Sequence, residues 1–354
     1  MNNKLSIILT IYGRESFTQR WLKYHNDNHC DYRILIFDAK GDNYFSNLDK
    51  LKNDYPNLNC KYFLLKQPAN SNLEFYFKKL LPTAIENLET EYFIFDDNDN
   101  FYNTLHFDEY TDFLDKNANY SGVRGESYRF WFYQGFSIKP VYDLYSKKII
   151  SIKPKNFSIL FDSDYERINW FLKNADNDSH VLINWYSVYR REQAKKVFNT
   201  IKNAKGFDPF IAELFILLGF LNLGKLKVLK RKHFFQQHGT SESSKKLIEA
   251  SLPIKRMFIE ENFDYLTSCL NELDCDAPKR QMINESIYKL LTMQLIKAKS
   301  KTSIKQNIRL FFKKKLSIVE YLLYLLIRFF DAFKANKKYH DLKELDFLKN
   351  QENS

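Results

Sequence analysis

The sequence predicts an α/β chain built on a mostly parallel central sheet. Apolar runs of strand length recur along roughly the first hundred residues, amphipathic helical spacings separate them, and three of the runs end in polar turns. Strands alternating with helices imply right-handed βαβ crossovers, which bring the turns after parallel strands to one edge of the sheet. Ligands of open α/β sheets bind at that edge.

The elements follow in order. Leu5–Ile11 is a continuous apolar and β-branched run that reads as a buried strand, bounded by Lys4 and Gly13. Phe17, Trp21 and Tyr24 recur at helical spacing, predicting a helix to Asn26. Arg33–Phe37 is a second strand, ending at Asp38 and the turn residues Gly41 and Asp42. Phe45, Leu48, Leu51 and Tyr55 mark a second helix, closed by Pro56, and Lys61–Leu65 a third strand. Leu73–Leu88 reads as a helix kinked or split at Pro82. Tyr92–Phe95 is a fourth strand, running straight into Asp96, Asp97, Asn98 and Asp99. Three polar turns thus converge on one edge: Thr10–Arg14, Asp38–Asp42 and Asp96–Asp99.

Composition bounds the class. The chain has 354 residues, 44% hydrophobic and 17% aromatic, enough for a large core and far from the signature of disorder. A net charge of +11 points to an anionic partner: nucleic acid, an acidic membrane surface or phosphorylated small molecules. Cys30, Cys60, Cys269 and Cys275 are scattered with no pair at metal-ligand spacing, and Met1–Lys4 leads directly into a strand. Those features predict a cytoplasmic protein with free thiols. No G-x-G-x-x-G follows the first strand, which disfavours a dinucleotide-binding fold.

The carboxylates of Asp96, Asp97 and Asp99 repel one another unless they are solvated or a cation neutralises them. Carboxylate oxygens suit hard cations such as Mn2+ and Mg2+, held by one or two carboxylates plus substrate phosphates. The plain alternative is a solvated turn, because Asp and Asn favour turns.

The stretches SIILTIYGR (Ser6–Arg14), ILIFDAKGDN (Ile34–Asn43) and EYFIFDDNDNF (Glu91–Phe101) resemble the nucleotide-binding half of GT-A glycosyltransferases. More narrowly, they look like the large inverting group with an Asp-x-Asp motif. The resemblance implies two abutting Rossmann-like halves. It also implies that Thr10, Tyr12 and Arg14 line the nucleotide pocket and Asp38 meets the base. Asp97 and Asp99 would bear the metal, with Asp96 the other possible ligand and a further pocket residue. Ile11 and Gly13 depart from the first-turn pattern of that group, and the absence of Q-x-x-R-W argues against a processive synthase.

Beyond residue 101 the periodicity is less regular. Ser121–Phe136 gathers Arg124, Arg129 and several aromatics, which suit a sugar or phosphate acceptor or, equally, core filling. Val181–Tyr189 reads as a strand, with Arg190 and Arg191 opening the next helix. In FDPFIAELFILLGF (Phe207–Phe220), Asp208-Pro209 marks a helix start and Glu213 lies one turn in among apolar residues. An apolar setting raises a carboxylate pKa, as a general base for an acceptor hydroxyl requires. Glu213 is therefore the candidate base and Asp208 the second choice; the alternative is a solvent-facing Glu. Lys225–Lys232 is strand-like, and His238 is a candidate third metal ligand or an ordinary loop residue.

From Ser241 the pattern is helical. Lys297–Lys315 carries eight Lys/Arg and no acidic residue, and Leu316–Phe330 is an apolar run containing Glu320 and Arg328. Such a run is shorter than the roughly 20 residues that span a bilayer. A basic flank beside it reads as an interfacial helix on an anionic membrane, or as a helix docked on the domain or on a partner subunit. No nucleic-acid-binding module accompanies it. The expected organisation is a catalytic domain over 1–240, split into a nucleotide-sugar half (1–125) and an acceptor half (126–240). A helical region (241–335) and a frayed polar tail (336–354) would follow. The expected function is metal-dependent sugar transfer from a nucleotide-sugar donor to a hydroxyl of a glycan or lipid-linked saccharide in surface glycan synthesis. It would proceed with inversion, in the cytoplasm or on the inner face of the membrane. A nucleotidyltransferase and a non-catalytic glycan- or nucleotide-binding relic are the alternatives.

Overall fold

A computed structural model describes residues 4–41, 48–68, 73–132, 149–152, 156–174, 185–237, 265, 268–271, 276–286 and 343–348. The nucleotide-binding half follows the predicted alternation. β1 (Leu5–Ile11) is buried along its whole length, and α1 (Glu15–Asp27) packs Phe17, Trp21, Leu22 and Tyr24 inward. β2 (Arg33–Asp38), α2 (Leu48–Asp54) and β3 (Asn59–Leu64) come next. Burial on both faces explains the near-continuous apolar runs of β1 and β2.

The helix around Pro82 is neither broken nor simply kinked. α3 (Leu73–Phe75) passes through a π turn (Tyr76–Leu80) into α4 (Leu81–Glu86), with Pro82 at the start of α4. Proline lacks an N–H and crowds the carbonyl one turn back. The wider turn absorbs both problems, and the Leu81 N–H reaches back to the Tyr76 carbonyl. β4 (Tyr92–Asp97) follows and extends two residues further than its apolar run, through Asp96 and Asp97. These four strands form a parallel block in the order β3-β2-β1-β4. The register sets Thr10 beside Asp97 of β4 and Ile11 beside Asp38 of β2, so the first turn lies between the other two.

β5 (Asn100–Tyr102) and α5 (Phe107–Lys116) lead to β6 (Tyr120–Phe132), a 13-residue strand that organises the second half. β7 (Ile149–Ile152) pairs with its end. α6 (Asp164–Asn174), β8 (Val188–Arg190), α7 (Arg191–Asn203), α8 (Pro209–Leu223) and β9 (Lys225–Gln237) complete the unit. β8 joins β4 to β6 and is antiparallel to both, giving the order β3-β2-β1-β4-β8-β6-β9-β5. β6 and β9 are parallel, with a bulge at Gly125. A Cβ on Gly125 would stand 2.5 Å from the Arg231 carbonyl oxygen, so only glycine permits this close approach.

Several expectations change here. The predicted strand Val181–Tyr189 begins only at Val188; Trp185 and Tyr186 form a short helical turn, and residues 181–184 lie outside the described part. All of Trp185–Tyr189 is buried, so no alternation marks the strand's start. Trp185 stacks on Phe95 with ring centroids 5.0 Å apart. Arg124 is not an acceptor group but an internal strut, buried and donating to the Gly125 carbonyl, Ser127 Oγ and Asn156 Oδ1. α8 is apolar on almost every side, as a helix buried on all faces must be.

The tail is not wholly frayed. Lys343–Leu348 forms a 3-10 helix, and Phe347 packs 4.6 Å from Tyr24 and 5.1 Å from Phe101. One aromatic in a polar stretch suffices to dock it. Of the region 241–335, a helical stretch within 276–286 places Lys279 against Asp164 and Asn222. His238 and the basic and apolar runs over 297–330 lie outside the described residues. No described helix is long and apolar enough to cross a membrane.

Candidate active site at the edge of β1 and β4

Asp97 ends β4 with its carboxylate held by hydroxyls. Thr10 Oγ1 donates to Oδ1 at 3.4 Å and the Tyr186 hydroxyl to Oδ2 at 2.7 Å. Tyr186 is in turn stacked on Phe234, with centroids 4.0 Å apart, and its carbonyl faces His233 Nε2 at 3.1 Å. Burial first, and the charge of Asp99 second, push the Asp97 carboxyl up to about 6. Hydrogen bonds from Tyr186 and Thr10 and the positive Arg14 oppose that rise.

Asp99, in the turn after β4, pairs with Arg14. Both terminal guanidinium nitrogens reach Asp99 Oδ2 at 3.2 Å. Arg14 gets there because Gly13 and Arg14 both adopt left-handed backbone (φ 66° and 57°), turning the chain sharply from β1 into α1. Glycine takes that conformation without steric cost, and Arg14 takes it at one residue only. The guanidinium also lies over the Phe17 ring, 4.2 Å from its centroid. Tyr12, at the crest of the same turn, is 63% exposed.

The third carboxylate is turned away. Strand alternation puts Asp96 on the opposite face from Asp97. There it is buried, accepts from Trp21 Nε1 at 2.7 Å, and caps the Asp97 N–H at 2.9 Å. Burial raises its pKa well above the usual carboxylate range. Asp96 therefore anchors α1 to β4 from a buried position. Nor is the cluster a solvated turn, since Asp96 and Asp99 are both buried.

Asp38 lies at the end of β2. It is fully buried, accepting from the Lys40 and Gly41 N–H groups on Oδ1 and from the Tyr62 hydroxyl on Oδ2 at 2.6 Å. Its carboxylate shapes the second turn. That turn brings the Lys40 side chain over Gly13, its Cδ 3.4 Å from where a Cβ would sit.

From the second half, Glu213 is partly buried on α8, and its pKa rises to about 7, mainly through burial and then through the charge of Asp97. Tyr76, presented by the π turn, comes within 3.4 Å of Thr10 Oγ1, and both Asp97 and Glu213 act on its hydroxyl. Thr10, Tyr76, Asp97 and Tyr186 thus form one hydrogen-bonded cluster with Arg14 and Asp99 alongside, and Glu213 lies near enough for charge to act between it, Tyr76 and Asp97. Asp208 starts the same helix as Glu213. Its carboxylate caps α8 by accepting the Ile211 N–H at 2.8 Å, and it is buried.

Parallel strands β3-β2-β1-β4 are joined through antiparallel β8 to a second half, with an Asp-x-Asp pair where β4 meets the first turn. The chain has the GT-A fold. No family profile matches the sequence, and no curated protein does. Among solved structures, S. aureus TarS 1-349 in complex with UDP-GlcNAc aligns with a TM-score of 0.45 at 15% identity, over 80% of this chain and 71% of that one. A mannosyltransferase from Pyrobaculum calidifontis in complex with GDP-Man and Mn2+ aligns with a TM-score of 0.45 at 10% identity, over 92% and 86%. At such scores nothing about residues or chemistry transfers, and the assignment of the site rests on this chain's own contacts.

Among the described residues no group of three or more His, Cys, Asp or Glu is arranged to hold a metal. Asp97 and Asp99 nevertheless fit a hard divalent cation. They are two carboxylates close enough for the charge of one to act on the other, with Arg14 beside Asp99, and such cations take one or two protein carboxylates with substrate phosphates completing the shell. Sequence reasoning missed Tyr76 and Tyr186. With 23 Tyr in the chain neither stands out, and only the disturbed helix around Pro82 hinted that something near Tyr76 was unusual.

Proposed function

We propose that the chain is a glycosyltransferase that moves a sugar from a nucleotide-sugar donor to a hydroxyl acceptor. The observation that carries this reading is the gathering of Thr10, Arg14, Asp97 and Asp99 from one half with Glu213 from the other. The first turn, with exposed Tyr12, offers a face for the nucleoside, and Arg14 a cation for its phosphates. Asp97 and Asp99 would hold Mn2+ or Mg2+, which supplies Lewis-acid stabilisation of the departing diphosphate.

Glu213 is the proposed base. Its carboxylate accepts the acceptor hydroxyl's proton as that oxygen forms a bond to the anomeric carbon. The bond from that carbon to the phosphate oxygen breaks, and its electron pair leaves on the nucleoside diphosphate. A pKa near 7 keeps a usable fraction of Glu213 ionised at neutral pH while leaving it basic enough to take the proton. Thr10 and Tyr186 fix the Asp97 carboxylate so that it need not reorganise. Attack from the face opposite the diphosphate inverts the anomeric centre.

The acceptor is a glycan or a lipid-linked saccharide of a surface polymer. Support for a membrane setting comes from the basic run Lys297–Lys315 beside the apolar Leu316–Phe330, the pattern of a helix lying on an anionic bilayer. The test is release of nucleoside diphosphate from a panel of UDP-, GDP-, CMP- and dTDP-sugars, with Mn2+ and a saccharide acceptor. One donor should be turned over by the wild type, and Asp97→Asn should lower its kcat/KM by about 100-fold or more. Turnover unchanged in Asp97→Asn would overturn the proposed site.

A further inference from the structure

We infer that Arg14 is a displaceable counter-ion for Asp99. Its guanidinium holds the carboxylate that the divalent cation needs, and it transfers to the donor's diphosphate when cation and donor bind together. The inference rests on the reading of Asp97 and Asp99 as the cation site and adds how that site is kept before it fills.

The geometry of the pair suits an occupant that leaves. Both guanidinium nitrogens converge on one oxygen, Asp99 Oδ2, at 3.2 Å. A bidentate fork would instead use both oxygens at the 2.7–2.9 Å typical of a strong charge-assisted pair. Arg14 is the more open partner, its side chain 30% exposed against 11% for Asp99. The guanidinium is therefore the more solvent-accessible member of the pair. Asp97 is held by the hydroxyls of Thr10 and Tyr186. Before any ligand arrives, the Arg14 guanidinium thus lies against a carboxylate oxygen that the metal would use.

A divalent cation alone must displace Arg14 and leave the guanidinium without an anion. A cation arriving with a diphosphate supplies that anion, because Arg14 is anchored in the first turn beside the proposed nucleotide pocket. Metal and nucleotide should consequently assist each other's binding, and by linkage the assistance is the same in both directions. Arg14 suits the exchange chemically, because a planar guanidinium recognises carboxylate and phosphate alike.

The experiment is a titration of Mn2+ into the full-length chain, with free ion followed by electron paramagnetic resonance, alone and with UDP or GDP. Wild type, Arg14→Gln, Arg14→Lys and Asp99→Asn are compared, each checked for a cooperative melt. Wild type should bind Mn2+ weakly alone and roughly fivefold or more tightly with the fitting diphosphate. Arg14→Gln should bind Mn2+ alone more tightly than wild type and lose most of the diphosphate enhancement. Arg14→Lys, which keeps the charge, should bind Mn2+ alone as weakly as wild type. Arg14→Gln binding Mn2+ alone no more tightly than wild type would overturn the inference while leaving the cation site standing. Absence of Mn2+ binding in wild type with either diphosphate, or binding undiminished in Asp99→Asn, would remove the cation site itself.

Discussion

At the scale of single residues, Glu213 depends most on its surroundings. Burial, then Asp97, lifts its pKa from 4.5 to about 7. As the proposed base it must be ionised, so kcat/KM should climb with pH through about 7. Glu213→Gln should lower kcat by on the order of 10²–10⁴ and flatten the profile. The same shift bears on stability. A raised folded-state pKa means the native state holds the proton more tightly than the unfolded chain does. The stabilisation is thus complete below about 4.5 and is lost as pH rises through about 7. The melting temperature of Glu213→Gln should fall less than that of wild type between pH 5 and pH 8; an equal fall would show that Glu213 does not titrate there. Trp21→Phe should cost about 1–3 kcal/mol in urea unfolding, because it leaves the buried Asp96 without its 2.7 Å donor. The acidic residues themselves were legible in the sequence, but not which of them faced inward. That division was settled by strand alternation at Asp96 and Asp97 and by the Tyr62 and Trp21 partners, which come from elsewhere in the chain.

At the scale of elements, α8 presents Glu213 and begins at a capping residue. Asp208 accepts the Ile211 N–H while Pro209 needs no partner, so the helix start is locally satisfied. Asp208→Asn keeps a capping side chain and should leave both stability and turnover near wild type, whereas Asp208→Ala should lose about 0.5–2 kcal/mol. A large loss of turnover in a stably folded Asp208→Asn would return Asp208 to the list of candidate bases. The helix start was readable from Asp208-Pro209, because its signals are local. The π turn at Tyr76–Leu80 was not. Pro82 announces a disturbance, but whether the helix breaks, kinks or widens is decided by packing, here the inward placement of Phe77 and Leu80. β8 was foreseen as part of a longer strand over Val181–Tyr189, but its start at Val188 was not, because the buried run Trp185–Tyr189 shows no alternation there.

At the scale of the whole molecule, the parallel half was legible and the second half much less so. Strands buried on both faces announce themselves as apolar runs, and the crossover rule then orders them. The second half depends on antiparallel pairing through β8 and on the long β6–β9 pair, whose partners lie about a hundred residues apart. No local signal encodes such pairings. In the proposed site the nucleotide and cation groups come from one half and the base from the other. Ligand binding that spans both should stabilise the native state by mass action. The most direct test is a thermal-shift comparison of nucleotide-sugars with and without Mn2+, on wild type and on the Asp97→Ala/Asp99→Ala double variant. One donor should raise the wild-type melting temperature only when Mn2+ is present, and the double variant should show no rise. A shift that needs no metal, or that survives in the double variant, would contradict the assignment of Asp97 and Asp99.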